Sequence, residues 1–386
     1  MSPKVLLGNE NFLQNYTGLT AGKRVGILTN PSGVDRNLVS IADILHKRKD
    51  VRLTALFAPE HGIRGDYYAG SHVENQKDAG TGLPVYSLYG DNRKPTKTML
   101  KNVDVIIVDI QDIGLRAYTY IYTMAMVMQA AAENGKEVIV FDRPNPINGM
   151  HIEGNLTQEG YFSFVGLYPI PYRHGMTIGE LARLFNEEYG IHCKLTVVPL
   201  RNWNRSMYWE ATGLPWVAPS PHVPTWETIL QMIATGTFGE MQTVNIGIGY
   251  TLPFQLIGAP WMDGRKFADT MNGLHLPGVR FRPLFYKPFY SLFKGELCQG
   301  AQLHLTDRDR FRPYHTGLAI IRTLLDQYPD HPVLANEKRL AMFNKVTGCG
   351  YIAEDLLAGK SVAQIEAKWQ DELEAFKKIR RKYLLY

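Results

Sequence analysis

From Arg24 onward the apolar positions fall into two periods. Short runs rich in β-branched residues, "RVGILTN" from Arg24, "RLTALFAP" from Arg52, "VDVIIVDIQD" from Val103 and "EVIVFDRPNP" from Glu137, predict strands. Between them "LVSIADILHKRKD" and "YTYIYTMAMVMQAAAENGK" predict helices, the second closed by Asn134-Gly135. A further helix, "TIGELARLFNEEYG", opens on Thr177 with Glu180 three residues later, a capping box, and leads into the strand "CKLTVVPL". This alternation is that of βαβ units on a parallel sheet. The fold class expected is therefore α/β, a doubly wound parallel-sheet domain followed by an α+β one.

The pattern breaks at "GLPWVAPSPHVPTWE", where four prolines prevent regular structure. A glycine-punctuated stretch, "TGTFGEMQTVNIGIGYTLPF", follows, then a strand-rich region to about residue 310 and helices to the end. The expected domains are 1–232 and 233–386, consistent with a 386-residue chain too long for one core.

Composition narrows the classes. With 45% hydrophobic and 20% charged residues the chain is that of a folded protein. The net charge of +5 is scattered except in "FKKIRRKYLLY", read as a solvated helix end, and no nucleic-acid-binding signature is present. Cys193, Cys298 and Cys349 cannot all pair and lack metal-ligand spacing, so buried free thiols are expected. No apolar run is long enough to span a bilayer. "MSPKVLLGNENFLQNY" lacks the regions of a signal peptide. The location expected is extracytoplasmic, periplasmic or secreted, if a leader was removed from this chain, and cytoplasmic otherwise. No oligomeric state follows.

In an open parallel sheet, ligands bind beyond the carboxyl ends of the strands. Those ends carry Asn30, then Glu60 with His61, then Asp109, Gln111 and Asp112, then Asp142, Arg143 and Asn145. Each alone also suits a cap or a turn. Glu60 in "FAPEHGIRG", beside Pro59 and before two glycines, reads equally as a partly desolvated general acid or as a solvated turn residue. His61 reads as a base, a ligand or a structural histidine, and no metal is expected. In "VDIQDIGLRAYTYIYTM", Asp109, Asp112 and Arg116 suit sugar hydroxyls, while the tyrosines from Tyr118 suit either ring stacking or an amphipathic core. Arg143, and Arg173 with His174 before the capped helix, are candidate clamps for an anionic group. No P-loop, nucleophile elbow or dinucleotide fingerprint is present, and no cofactor is expected.

Taken in order, "LTNPSGVD", "ALFAPEHGIRG", "VDIQDIGLRAYTY", "FDRPNPING", "PYRHGMTIGELA", "PSPHVPT", "PFQLIGAPW", "PGVRFRP" and "HLTDRDRFRPYHTGL" resemble the NamZ-type exo-β-N-acetylmuramidases, a bacterial glycoside hydrolase family. The resemblance implies a Rossmann-like domain and a smaller domain with the active site between them. It implies removal of β-linked N-acetylmuramic acid from the non-reducing end of peptidoglycan fragments. Glu60 then becomes the leading acid, with Asp112, Asp109 and Glu240, in that order, as candidates for a second carboxylate, or an acetamido-assisted route in its place. His61, Gln111, Arg116, Tyr118, Asp142, Arg143, Asn145, Arg173 and His174 would surround the sugar, the arginines taking its lactyl carboxylate. The chain departs from the family pattern at Ile248, where an arginine is usual, and at His222, where an asparagine is common. The competing expectations are a non-catalytic sugar-binding or scaffold protein of the cell envelope and a hydrolase of another acidic small molecule.

Overall fold

The computed structural model describes residues 4–65, 76–90 and 92–386. Its strands run β1 (Arg24–Thr29), β2 (Arg52–Ala58), β3 (Gln76–Lys77), β4 (Pro84–Ser87), β5 (Val105–Asp109), β6 (Glu137–Phe141), β7 (Glu153–Leu156), β8 (Pro171–Arg173) and β9 (Lys194–Val198). Helices α1 (Gly8–Asn15), α2 (Ile41–Lys47), α3 (Tyr120–Glu133) and α4 (Ile178–Glu188) accompany them. One sheet has the order β3-β4-β2-β1-β5-β6-β9, all parallel except β3, while β7 and β8 pair separately. Ranked by appearance, the six parallel strands lie 3-2-1-4-5-6, the doubly wound order of a Rossmann-type fold.

Alternation within the strands decides which helix covers which face. Val25, Ile27, Val105, Ile107, Ile139 and Phe141 pack with Phe12 of α1 and with Ile41 and Leu45 of α2. Leu28, Ile106, Val108, Val138 and Val140 point the other way, into a core shared with Ile121 and Met124 of α3 and with Leu181 and Phe185 of α4. The capping box of α4 forms as the sequence predicts, Thr177 accepting from the Glu180 amide and Glu180 from that of Thr177.

The second domain holds α5 (Thr228–Met241), β10 (Leu256–Ala259), α6 (Gly264–Gly273), β11 (Val279–Tyr286), β12 (Cys298–Leu305), α7 (Pro313–Gln327), α8 (Glu337–Thr347), α9 (Tyr351–Leu357), α10 (Val362–Glu366) and α11 (Gln370–Arg381). Its three strands form an antiparallel sheet, β10-β12-β11. Phe267, Leu318 and Trp369 of this domain belong to the same apolar core as α3 and α4. The chain end returns to the first domain, where Tyr386 donates its hydroxyl to Asp142 at 2.7 Å. Arg380 corrects the reading of the basic terminal run as solvated: it is buried and donates to the carbonyls of Gly149 and Gly175. The three cysteines are buried and unpaired. Among the described residues no helix is long and apolar enough to cross a membrane, and no cluster of His, Cys, Asp and Glu has the makings of a metal site.

The switch point between β1 and β5, where a doubly wound sheet ordinarily opens a ligand crevice, is filled by the protein itself. Asp109 pairs with Arg143 at 2.5 Å and accepts from Asn9 of α1 at 3.0 Å, while Thr29 donates to the Asp109 carbonyl at 2.9 Å. The void left beside Gln111 and Arg143 measures about 10 Å³. Gly33 lets the backbone close over it, since a Cβ there would overlap Thr29 Oγ1 and stand 2.7 Å from the Asp109 carbonyl oxygen. Gly33→Ala is therefore expected to lose about 1–3 kcal/mol through overpacking, read as a lowered midpoint in urea unfolding.

Candidate active site

With the switch point closed, the open space lies further along the carboxyl edge of the sheet, between the two domains. Two adjoining cavities of about 490 Å³ and 730 Å³ meet there, sharing Ala117, Val165, His222, Met232, Glu240 and Phe254 as walls. Their volumes are those of small-ligand sites.

Glu60 enters the smaller cavity from the turn that ends β2. The Gly62 amide donates to the Pro59 carbonyl at 3.1 Å, which closes a four-residue turn with His61 third. His61 has φ +74° and Gly62 φ +80°. A left-handed third position is the requirement of a type II turn, ordinarily met by glycine or asparagine, so the histidine stores strain of about 1 kcal/mol in the wall of the cavity. His61 is buried there. Thr119, at the N-terminus of α3, caps none of the helix amides with its side chain and instead donates its hydroxyl to Glu60 Oε2 at 3.1 Å. Tyr120 bridges the carbonyls of Glu60 at 3.3 Å and Pro219 at 2.6 Å. That bridge pins the turn to the proline-rich segment, which contributes Ser220, Pro221 and His222 to the same wall. Burial, with His61 close by, lowers the pKa of His222 below the ordinary imidazole value.

Of the residues expected from sequence, Glu60, His61, Tyr118 and Glu240 are brought together. Glu240 stands on α5 between the cavities, and burial raises its pKa above the ordinary carboxylate value, with Arg339 pulling the other way. The remaining nine lie outside both cavity walls, and their bonds show why. Asp109 and Arg143 are spent on each other, and Arg143 also donates to Val34. Gln111 donates to the carbonyls of Asp112 and Pro144. Asp112 accepts from the Gly114 amide, with His174 Nε2 at 3.2 Å but outside hydrogen-bonding geometry. His174 Nδ1 accepts from the Met176 amide, which leaves the imidazole proton on Nε2, facing Asp112. Asp142 accepts from Thr177, the Gly179 amide and Tyr386, and burial, then Glu180, pushes its pKa up to about 7. Asn145 bridges Met176 and Ile147. Arg173 donates to the Ile147 carbonyl and borders a separate cavity of about 380 Å³ beside Glu153 and Arg312.

Arg116 has no exposed surface and donates at 2.5–3.2 Å to the carbonyls of Asn155, Ile170, Val346 and Thr347. The last two are the C-terminal carbonyls of α8, the end of a helix that favours a cation. Leu115 and Ala117 on either side face the larger cavity, so the arginine turns its back on the site and ties the domains together.

The family model for "Exo-beta-N-acetylmuramidase NamZ, N-terminal" matches residues 25–227 and its C-terminal counterpart matches residues 232–386. The chain belongs to the NamZ exo-β-N-acetylmuramidase family. It is 50% identical over 385 residues to the peptidoglycan β-N-acetylmuramidase NamZ of Bacillus subtilis (strain 168), covering 100% of this chain and 92% of that protein. A crystal structure of a DUF1343 family protein from Bacteroides fragilis NCTC 9343 superposes with TM-score 0.94 at 44% identity over 99% of both chains. A second DUF1343 protein of that organism gives 0.79 at 31% identity, over 100% of this chain and 99% of the other.

Several residues of this NamZ-family cleft had no place in the sequence-based site. Thr119 and Tyr120 sit inside a motif already singled out, and His222 lies between prolines in "PSPHVPT", so both carried a local signal. Arg93, whose guanidinium lies 4.4 Å over the Phe164 ring, and Lys345 of α8 come from remote segments with none. The split between cleft and scaffold is measurable. Asp109→Ala, Arg143→Ala and Arg116→Met are each expected to lower stability by about 3–5 kcal/mol, by stranding a buried partner. Glu60→Gln is expected to stay within about 0.5 kcal/mol of the parent. Thermal melts of the four variants make the comparison.

Proposed function

We propose that this protein removes β-linked N-acetylmuramic acid from the non-reducing end of peptidoglycan fragments, with Glu60 as the general acid. The chain is a glycoside hydrolase by family, and the observation that carries the finer reading is the placement of Glu60. It is a half-buried carboxylate on a strained turn, held by Thr119 in a cavity that also presents Arg93 and Lys345. Glu60 gives its proton to the glycosidic oxygen as the bond to the anomeric carbon breaks, the leaving saccharide departs as an alcohol, and over the whole reaction the oxygen of a water molecule takes its place on the anomeric carbon while the water's proton restores the acid. Glycosidases of this kind ordinarily need a second carboxylate. Asp109 and Asp112 are committed to Arg143 and to the Gly114 amide, which leaves Glu240 as the sequence-predicted carboxylate that lines the cleft. Arg93 and Lys345 take the role first expected of Arg143 and Arg173, gripping the lactyl carboxylate that distinguishes muramic acid from glucosamine.

One observation favours the reverse assignment of the two carboxylates: burial raises the pKa of Glu240, which keeps a proton there to higher pH. Leaving-group dependence separates the two. With Glu60 as the acid, Glu60→Gln loses about 10²–10⁴-fold in kcat/KM on a natural glycan and far less on a dinitrophenyl β-N-acetylmuramide, whose aglycone departs without a proton. The same pattern in Glu240→Gln and not in Glu60→Gln reverses the roles, and full activity of Glu60→Gln on both substrates removes Glu60 from the mechanism.

The carboxylate clamp has its own test. Arg93→Ala and Lys345→Ala are each expected to raise KM about tenfold for an aryl β-N-acetylmuramide and to leave turnover of the matching β-N-acetylglucosaminide unchanged. Steady-state kinetics on the pair of substrates decides it.

A further inference from the structure

The two carboxylate oxygens of Glu60 have different surroundings. Oε2 accepts from the hydroxyl of Thr119 at 3.1 Å, whereas Oε1 has no partner among the described residues and stays open to solvent. Both residues line the smaller cavity. A carboxylic acid carries its proton on one oxygen. With Oε2 already accepting, that oxygen is Oε1, the one facing free space.

The donor is fixed by the start of α3. The Thr119 carbonyl accepts from the amides of Tyr122 and Thr123, both at 3.0 Å, and from the Thr123 hydroxyl at 3.3 Å. Branching at Cβ restricts the one torsion that then decides where the hydroxyl points. A threonine entering a helix ordinarily turns its hydroxyl to the amides of the first turn. Thr119 already has helical dihedrals, φ −70° and ψ −17°, makes no such cap, and spends its hydroxyl on a carboxylate 59 residues earlier in the chain.

The backbone of the Glu60 turn is held by other bonds. The Gly62 amide closes it on the Pro59 carbonyl, and Tyr120 ties the Glu60 carbonyl to that of Pro219. The bond from Thr119 falls on the carboxylate.

We infer that Thr119 is a positioning residue for the acid: by occupying Oε2 it presents the proton on Oε1 to the glycosidic oxygen and holds the charge that appears as the proton leaves. This rests on Glu60 being the general acid, as proposed above. In the step the O–H bond at Oε1 breaks, the proton passes to the glycosidic oxygen, and the electron pair stays on the carboxylate. Oε2 then shares a full negative charge, and its bond from Thr119 strengthens, because hydrogen bonds to an ionised acceptor are roughly twice as strong as neutral ones. An interaction that strengthens toward the transition state raises turnover rather than affinity.

Thr119→Val removes the hydroxyl at nearly constant shape. On N-acetylmuramic acid β-linked to N-acetylglucosamine it is expected to lower kcat/KM about tenfold through kcat, with KM within about twofold of the parent. On dinitrophenyl β-N-acetylmuramide, whose aglycone leaves without a proton, kcat/KM is expected to stay within about twofold. Thr119→Ser, which keeps the hydroxyl, is expected to retain about half or more of the parent rate on the disaccharide. Added to Glu60→Gln, Thr119→Val is expected to cost nothing further on that substrate. An equal loss on both substrates makes Thr119 a structural residue only and overturns the proposal. So does an undiminished loss in the Glu60→Gln background, a serine variant as slow as the valine one, or a valine variant as fast as the parent. Thr119→Ala repeats the comparison should the valine variant melt well below the parent. Full activity of Glu60→Gln on both substrates refutes the acid reading itself, and no variant of Thr119 is needed to see it.

Discussion

The buried pair of Asp109 and Arg143 occupies the place where a sheet of this strand order would otherwise receive a ligand. Two charges so far from water persist because each is satisfied several times over, Asp109 by Arg143 and Asn9, and Arg143 also by the Val34 carbonyl. With that crevice closed, the open space lies further along the carboxyl edge, and Glu60 lines it from the turn after β2 rather than from the centre of the sheet.

A turn at the edge is a weak platform unless something is brought against it, and two devices do so. Tyr120 ties the Glu60 carbonyl to that of Pro219, so the proline-rich segment becomes the opposite wall. Arg116 ties the first domain to the C-terminal carbonyls of α8. That strut sets the position of Lys345, one residue before the carbonyls it grips, and hence the distribution of positive charge in the cleft.

The glycine-rich stretch and His222, the two places where the sequence reading expected a departure from the family pattern, prove to be neighbours. Gly249 and Asn245 hold the segment that carries Tyr290, and Tyr290 meets His222.

Periodicity alone determined the parallel sheet, helices α2 to α4 and the capped start of α4, since these depend on neighbours two to four residues apart, whereas α1 and the face of the sheet that each helix covers came only from packing. Motif and composition marked Glu60, His61 and Tyr118, which share short stretches with glycine and proline turns. What the sequence could not separate was a polar side chain aimed at a ligand from one aimed at its own scaffold. Asp109, Asp142, Arg116, Arg143 and Arg173 looked available until their partners, tens or hundreds of residues away, were placed, and Asp112 until its carboxylate was seen to accept from the Gly114 amide. Only the tertiary structure decided that they are consumed by backbone amides, carbonyls and one another, and that Arg93 and Lys345 face the cleft in their stead. The reason is physical: a buried polar group must find a partner, and which partner it finds is settled by packing between segments rather than by the order of residues along the chain.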